Sequence, residues 1–84
     1  MGSKTFDGVW FLCWSLDHPP AHVHGRYAET QVILDLLPDG SIRPSSREDA
    51  VQPKNAKRSD VRRIVKIANE YASELHKLWE DTHG

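Results

Sequence analysis

An 84-residue chain with 38% hydrophobic and 27% charged residues is too apolar to stay disordered and too short for a second domain. A single domain over residues 1–84 is therefore expected, burying roughly 60–65% of the surface its unfolded form exposes. A formal net charge of −1 excludes a global electrostatic pull toward nucleic acid or anionic membrane, so any such pull must come from a local patch.

The first residues, MGSKTFDG, lack the apolar stretch of a secretory signal, and no run approaches the roughly 18 apolar residues of a membrane span. A cytoplasmic location is expected, and it suits Cys13, the one cysteine, which has no partner for a disulfide or a Cys-pair zinc site. Residues 8–16, GVWFLCWSL, are rich in strand formers and too short for a helix, so they predict a central strand buried on nearly both faces. Trp10 and Trp14 share one of those faces and read as core, with Cys13 as a buried, inert thiol.

Asp17 to Ala21 breaks the strand: Pro19 and Pro20 bring no N–H and bias their predecessors toward extended backbone, giving a stiff connection. Alternation over about 22–29 predicts a second strand with His22, His24, Arg26 and Ala28 on one face and Val23, Gly25, Tyr27 and Glu29 on the other. After a tight turn near 28–30, TQVILDLL over 30–37 predicts a third strand, and PDGS over 38–41 a turn. A short fourth strand over 41–44 would complete the sheet, followed by an irregular connection bounded by Pro44 and Pro53.

From about 56 to 81, Val61, Ile64, Val65, Ala68, Tyr71, Ala72, Leu75, Leu78 and Trp79 recur every three or four residues. They predict one long amphipathic helix, with Asn55 or Ser59 as its N-cap. A sheet with one apolar face and a helix with one apolar stripe are jointly solved by laying the helix across the sheet. The expected fold class is a two-layer α+β domain with an antiparallel sheet of three to four strands.

The stretch DHPPAHVHGRY, residues 17–27, carries the chemistry. Two residues apart on a strand, His22 and His24 leave the same face about 6.6–6.8 Å apart and can turn toward one point. His18, across the proline turn, is the third candidate. Three readings compete: neutral and charged imidazoles acting as base and acid on a phosphodiester with Arg26 stabilising the developing charge, a zinc-type site of His18, His22 and His24, or a turn in which Asp17 and the imidazoles only satisfy backbone groups. The first reading needs no cofactor, and Tyr27 could stack a base only by turning toward that face. The second anionic-ligand candidate is the helix start, where Lys57, Arg58, Arg62 and Arg63 crowd together while Glu80 and Asp81 sit near the end, the reverse of what the helix dipole favours.

The segment DHPPAHVHGRY, the strand ending in Asp35-Leu36, the DG turn and the helix ending in Glu74-Leu75 and Trp79 resemble a family of small prokaryotic proteins of unknown function with an H-x-P-P-H-x-H-x-x-Y signature. His18, Pro20, His22, His24 and Tyr27 match it, while Ala21 and Ala28 stand where proline and glycine are usual. The resemblance implies the toxin-like member of a toxin–antitoxin-type pair, with a small cognate protein encoded nearby; the one-face histidines and the local basic patch point to RNA as what such a protein would act on or bind, and no apolar run points to a membrane partner. The alternatives are a non-enzymatic protein-interaction module and a metal-dependent hydrolase.

Overall fold

The computed structural model describes residues 2–83. Six strands, β1 (Gly2–Phe6), β2 (Val9–Cys13), β3 (His22–Tyr27), β4 (Thr30–Leu36), β5 (Ile42–Pro44) and β6 (Val51–Gln52), precede two helices, α1 (Arg58–Glu70) and α2 (Ala72–His83). The sheet is antiparallel in the order β1-β2-β3-β4-β5, with β6 also paired to β4. β5 pairs Leu34 to Leu36 and β6 pairs Gln31 and Val32, so the two short strands share one long edge of β4. The α+β expectation holds, with a wider sheet and a divided helix.

The extra strand at the N-terminus comes from a tight hairpin. Phe6 pairs with Val9 across Asp7 and Gly8, which both have positive φ, 48° and 83°. An Asp-Gly pair supplies that twist at low steric cost, because glycine has no Cβ to clash. The second hairpin joins Tyr27 to Thr30 through Ala28 and Glu29, with Ala28 at φ 53°.

One face of the sheet carries the core. Val9, Phe11 and Cys13 of β2, Val23 of β3, and Val32, Leu34 and Leu36 of β4 pack with Ile64, Ile67 and Ala68 of α1 and Leu75 and Leu78 of α2. Each of the fully buried larger side chains, such as Phe11, Leu34, Ile64 and Leu75, contributes about 1.5–3 kcal/mol by leaving water. Gly25 lets α1 come close: a Cβ there would lie 2.7 Å from Ile64 Cγ2 and 3.1 Å from Phe11 Cε1.

The predicted single helix is interrupted at Tyr71, whose backbone (φ −114°, ψ 31°) leaves the helical region. This break lets α1 lie over β3, β4 and β5 while α2 lies over β1, β2 and β3. The Tyr71 ring stacks on Phe6 of β1, centroids 4.2 Å apart, and its hydroxyl donates to Asp7 Oδ2 at 3.4 Å. The break is thus tied to the strand that the sequence reading omitted. At the start of α1, Lys57 occupies the N-cap with no side-chain cap, in place of the expected Asn55 or Ser59. No helix among the described residues is long and apolar enough to cross a membrane.

The second correction concerns β2. Trp10 is 40% exposed and Trp14 44%, so neither belongs to the core. Opposite-face alternation explains Trp10: its neighbours Val9 and Phe11 face the helices, and it faces outward.

Candidate functional site

The proline connection folds Asp17 back onto the start of β3. A turn closes first: Asp17 N donates to Trp14 O at 3.0 Å, and Trp14 N donates to Asp17 Oδ2 at 3.0 Å. His83, near the end of α2, places Nε2 3.1 Å from Asp17 O and Nδ1 3.0 Å from Trp79 O. Its ring stacks on Trp79, centroids 3.6 Å apart. The backbone of Asp17 is therefore fixed from both its own turn and the last turn of the helix layer.

His22 and His24 meet Asp17 from the strand. His22 Nδ1 donates to Pro20 O at 2.9 Å. Because a carbonyl oxygen only accepts, this contact puts the hydrogen on Nδ1 and leaves the Nε2 lone pair of the neutral ring directed away from it. Nε2 of His22 and Nε2 of His24 each lie 3.6 Å from Asp17 Oδ2. The His22 side chain is 4% exposed, His24 16% and Asp17 18%, so the set is sheltered yet reachable from solvent. The two imidazoles meet edge to face, centroids 5.4 Å apart, and Trp79 backs His22 at 5.5 Å.

Electrostatics favour a neutral His24. Burial holds its imidazole below the ordinary histidine range, with His22 and Arg26 acting in the same direction and Asp17 opposing them. Its Nε2 is buried without a hydrogen-bond partner. Cys13 lies under the same corner, its Sγ 3.8 Å from His22 O, but burial and the charge of Asp17 push the thiol up to about 11, so it stays protonated. The cluster thus presents two imidazole nitrogens and one carboxylate oxygen, all within 4.8 Å of one another.

The predicted residues divide by position. His22 and His24 come together as expected, but the third member beside them is Asp17. His18 is exposed, and among the described residues no hydrogen bond or ion pair holds it. Arg26 lies on the same strand, exposed, with Nε donating to Gln31 Oε1 at 2.8 Å and its guanidinium 5.5 Å from the centroid of the Trp10 ring. Tyr27 is covered by the Arg63 guanidinium, 4.8 Å from its ring centroid. That contact ties the basic start of α1, with Lys57, Arg58 and Arg62, to the end of β3 opposite the histidines. Tyr27 lies five residue steps along the strand from His22, a span of roughly 17 Å.

Asp17 was legible in sequence as a turn residue, and it is one. Its second role could have been suspected from D-x(4)-H-x-H spacing, although only the folded turn brings the carboxylate back to the rings. A cleft of about 530 Å³ borders Pro20 and Trp79 and is lined also by Asp35, Arg43 and His76, but not by Asp17, His22 or His24. The cluster is a sheltered surface site at the rim of the sheet, and the cleft is separate from it.

No curated protein and no solved structure matches the chain. Residues 8–80, which span β2 to most of α2, match a family described as a domain of unknown function, DUF4160, and the chain belongs to that family.

Proposed function

We propose that the chain is the toxin-like component of a paired, cytoplasmic toxin–antitoxin-type system and that it binds single-stranded RNA on the outward face of β2 and β3. The toxin-like role rests on the resemblance of the histidine segment alone; the observation that carries the RNA reading is the pairing of a 40% exposed Trp10 with Arg26 directly across the strand, next to the His24 position. Exposed aromatic faces accept unstacked bases, worth about 1–3 kcal/mol per base, and arginine pairs with phosphate or stacks on the base. Trp14, exposed and joined by its backbone N–H to Asp17, offers a second stacking surface beside the cluster. The basic start of α1, whose Arg63 covers Tyr27, packs on the opposite face of the sheet and is not part of this surface.

Fluorescence anisotropy with short single-stranded RNA tests the reading. Trp10→Ala and Arg26→Ala change exposed side chains and should each lower affinity by at least tenfold, with wild-type affinity falling as salt rises. Unchanged affinity in both variants would remove the RNA reading. The non-enzymatic interaction module draws on the hydrogen bonds from Trp14 N to Asp17 and from His22 to Pro20, which also make the cluster a turn anchor. It would be favoured if a cognate protein encoded nearby binds the chain and RNA does not.

A further inference from the structure

We infer that Asp17, His22 and His24 form a binding site for a divalent transition-metal ion of the zinc type, with Asp17 taking the place that sequence spacing gave to His18. Several features converge on it. His22, His24 and Asp17 each offer a ligand atom within 4.8 Å of the others, and Nε2 of both imidazoles lies 3.6 Å from Asp17 Oδ2. This mixed set of nitrogen and carboxylate donors suits zinc and its neighbours better than magnesium or calcium, which take oxygen.

The distances fit coordination better than hydrogen bonding. At 3.6 Å, each Nε2 to Oδ2 separation is too long for a good hydrogen bond. Two ligands on a tetrahedral ion at about 2.0–2.1 Å stand roughly 3.4 Å apart, so a contraction of a few tenths of an ångström closes each of these edges. His24 Nε2 is itself buried without a hydrogen-bond partner, a lone pair that a bound ion would satisfy.

The supporting contacts are those that metal-ligating groups use. His22 Nδ1 donates to Pro20 O, which fixes the tautomer that exposes Nε2 as a ligand. Trp14 N donates to the ligating oxygen of Asp17, and His83 contacts the Asp17 carbonyl, so the carboxylate is held before any ion arrives. Three protein ligands leave a further position open to water or to a phosphate oxygen. The proposed ion stands apart from the RNA reading, although two of its ligands, His22 and His24, share β3 with Arg26.

Zinc titration of chelator-treated protein by calorimetry, with magnesium as a control, tests it, together with cobalt(II) absorbance and imidazole nitrogen NMR. The expected result is saturable one-to-one zinc binding, no comparable magnesium binding, and shifts at Nε2 of His22 and His24. Asp17→Asn and His24→Gln should each weaken zinc at least tenfold, while His18→Ala matches wild type. The assignment is overturned if wild-type protein shows no one-to-one site, if the two rings do not respond, or if His18→Ala abolishes binding that Asp17→Asn leaves intact. The ring shifts are read on wild-type protein, so a variant that folds poorly does not blunt the test. Zinc binding without RNA affinity keeps this assignment and removes the RNA reading; RNA affinity without zinc binding does the reverse.

Discussion

Ala28 sits at φ 53° in the turn between β3 and β4, a left-handed conformation in which a Cβ is crowded against the backbone. The other hairpin puts Asp7 and Gly8 in comparable conformations, and the glycine there carries φ 83° without a side chain. Ala28→Gly should relieve the crowding by more than glycine costs in unfolded-chain entropy, a net gain of about 0.5–1 kcal/mol. Thermal unfolding should show a Tm higher by about 2–8 °C in a domain of this size. An unchanged or lower Tm would mean that the turn is not strained at this residue.

Cys13 makes a second residue-scale prediction. Its thiol, pushed up to about 11 by burial and then by Asp17, is protonated near neutrality and should react with alkylating agents only after unfolding. The folded thiol holds its proton to higher pH than the unfolded one, whose pKa is about 8.5. The stabilisation is therefore complete below about pH 8.5 and lost as pH rises through about 11. Urea unfolding of wild type and Cys13→Ala between pH 8 and 11 checks the sign: the difference between them should narrow as pH rises.

At the scale of elements, α1 starts without a capping side chain. Lys57 stands at the N-cap, and its positive charge lies at the positive end of the helix dipole. Lys57→Ser should supply an acceptor for an unpaired backbone N–H and remove that repulsion, stabilising the fold by about 1 kcal/mol in chemical denaturation. A loss of stability would show that the lysine makes a compensating contact. The same element shows where pattern reading stops. Apolar spacing continues unbroken through Tyr71, so nothing in the period marks the place where the helix divides. The break coincides with the stacking of Tyr71 on Phe6, a contact across 65 residues of chain.

Strand β1 was illegible for a related reason. Its residues, GSKTF, have a mostly exposed pattern and no apolar alternation, so periodicity gives no signal. The Asp7-Gly8 pair that follows it is a local hairpin signal, informative once Phe6 and Val9 are seen as its flanks. By contrast, β3 and β4 were legible to within two residues, Ala28 and Glu29 forming the turn rather than the end of the strand, because alternation and a short turn specify them locally.

Across the whole molecule, the sheet separates residues that lie close in sequence and joins some that do not. The histidine pair and the basic helix start occupy opposite ends of β3, so they are not one compact site. Trp10 faces solvent because the core needs Val9 and Phe11 on the other side of the same strand. Asp17 joins the rings because its turn and His83 at the end of α2 hold it there.

By itself the sequence determined the α+β class, the strand carrying His22 and His24 on one face, and the amphipathic helical stretch that covers the sheet. These depend on local spacing, which a chain carries before it folds. The tertiary structure alone decided that Asp17 stands beside the imidazoles, that Trp10 and Trp14 are exposed, and that the helix divides at Tyr71. Each depends on which surfaces meet when helix and sheet pack, and no local pattern records that choice.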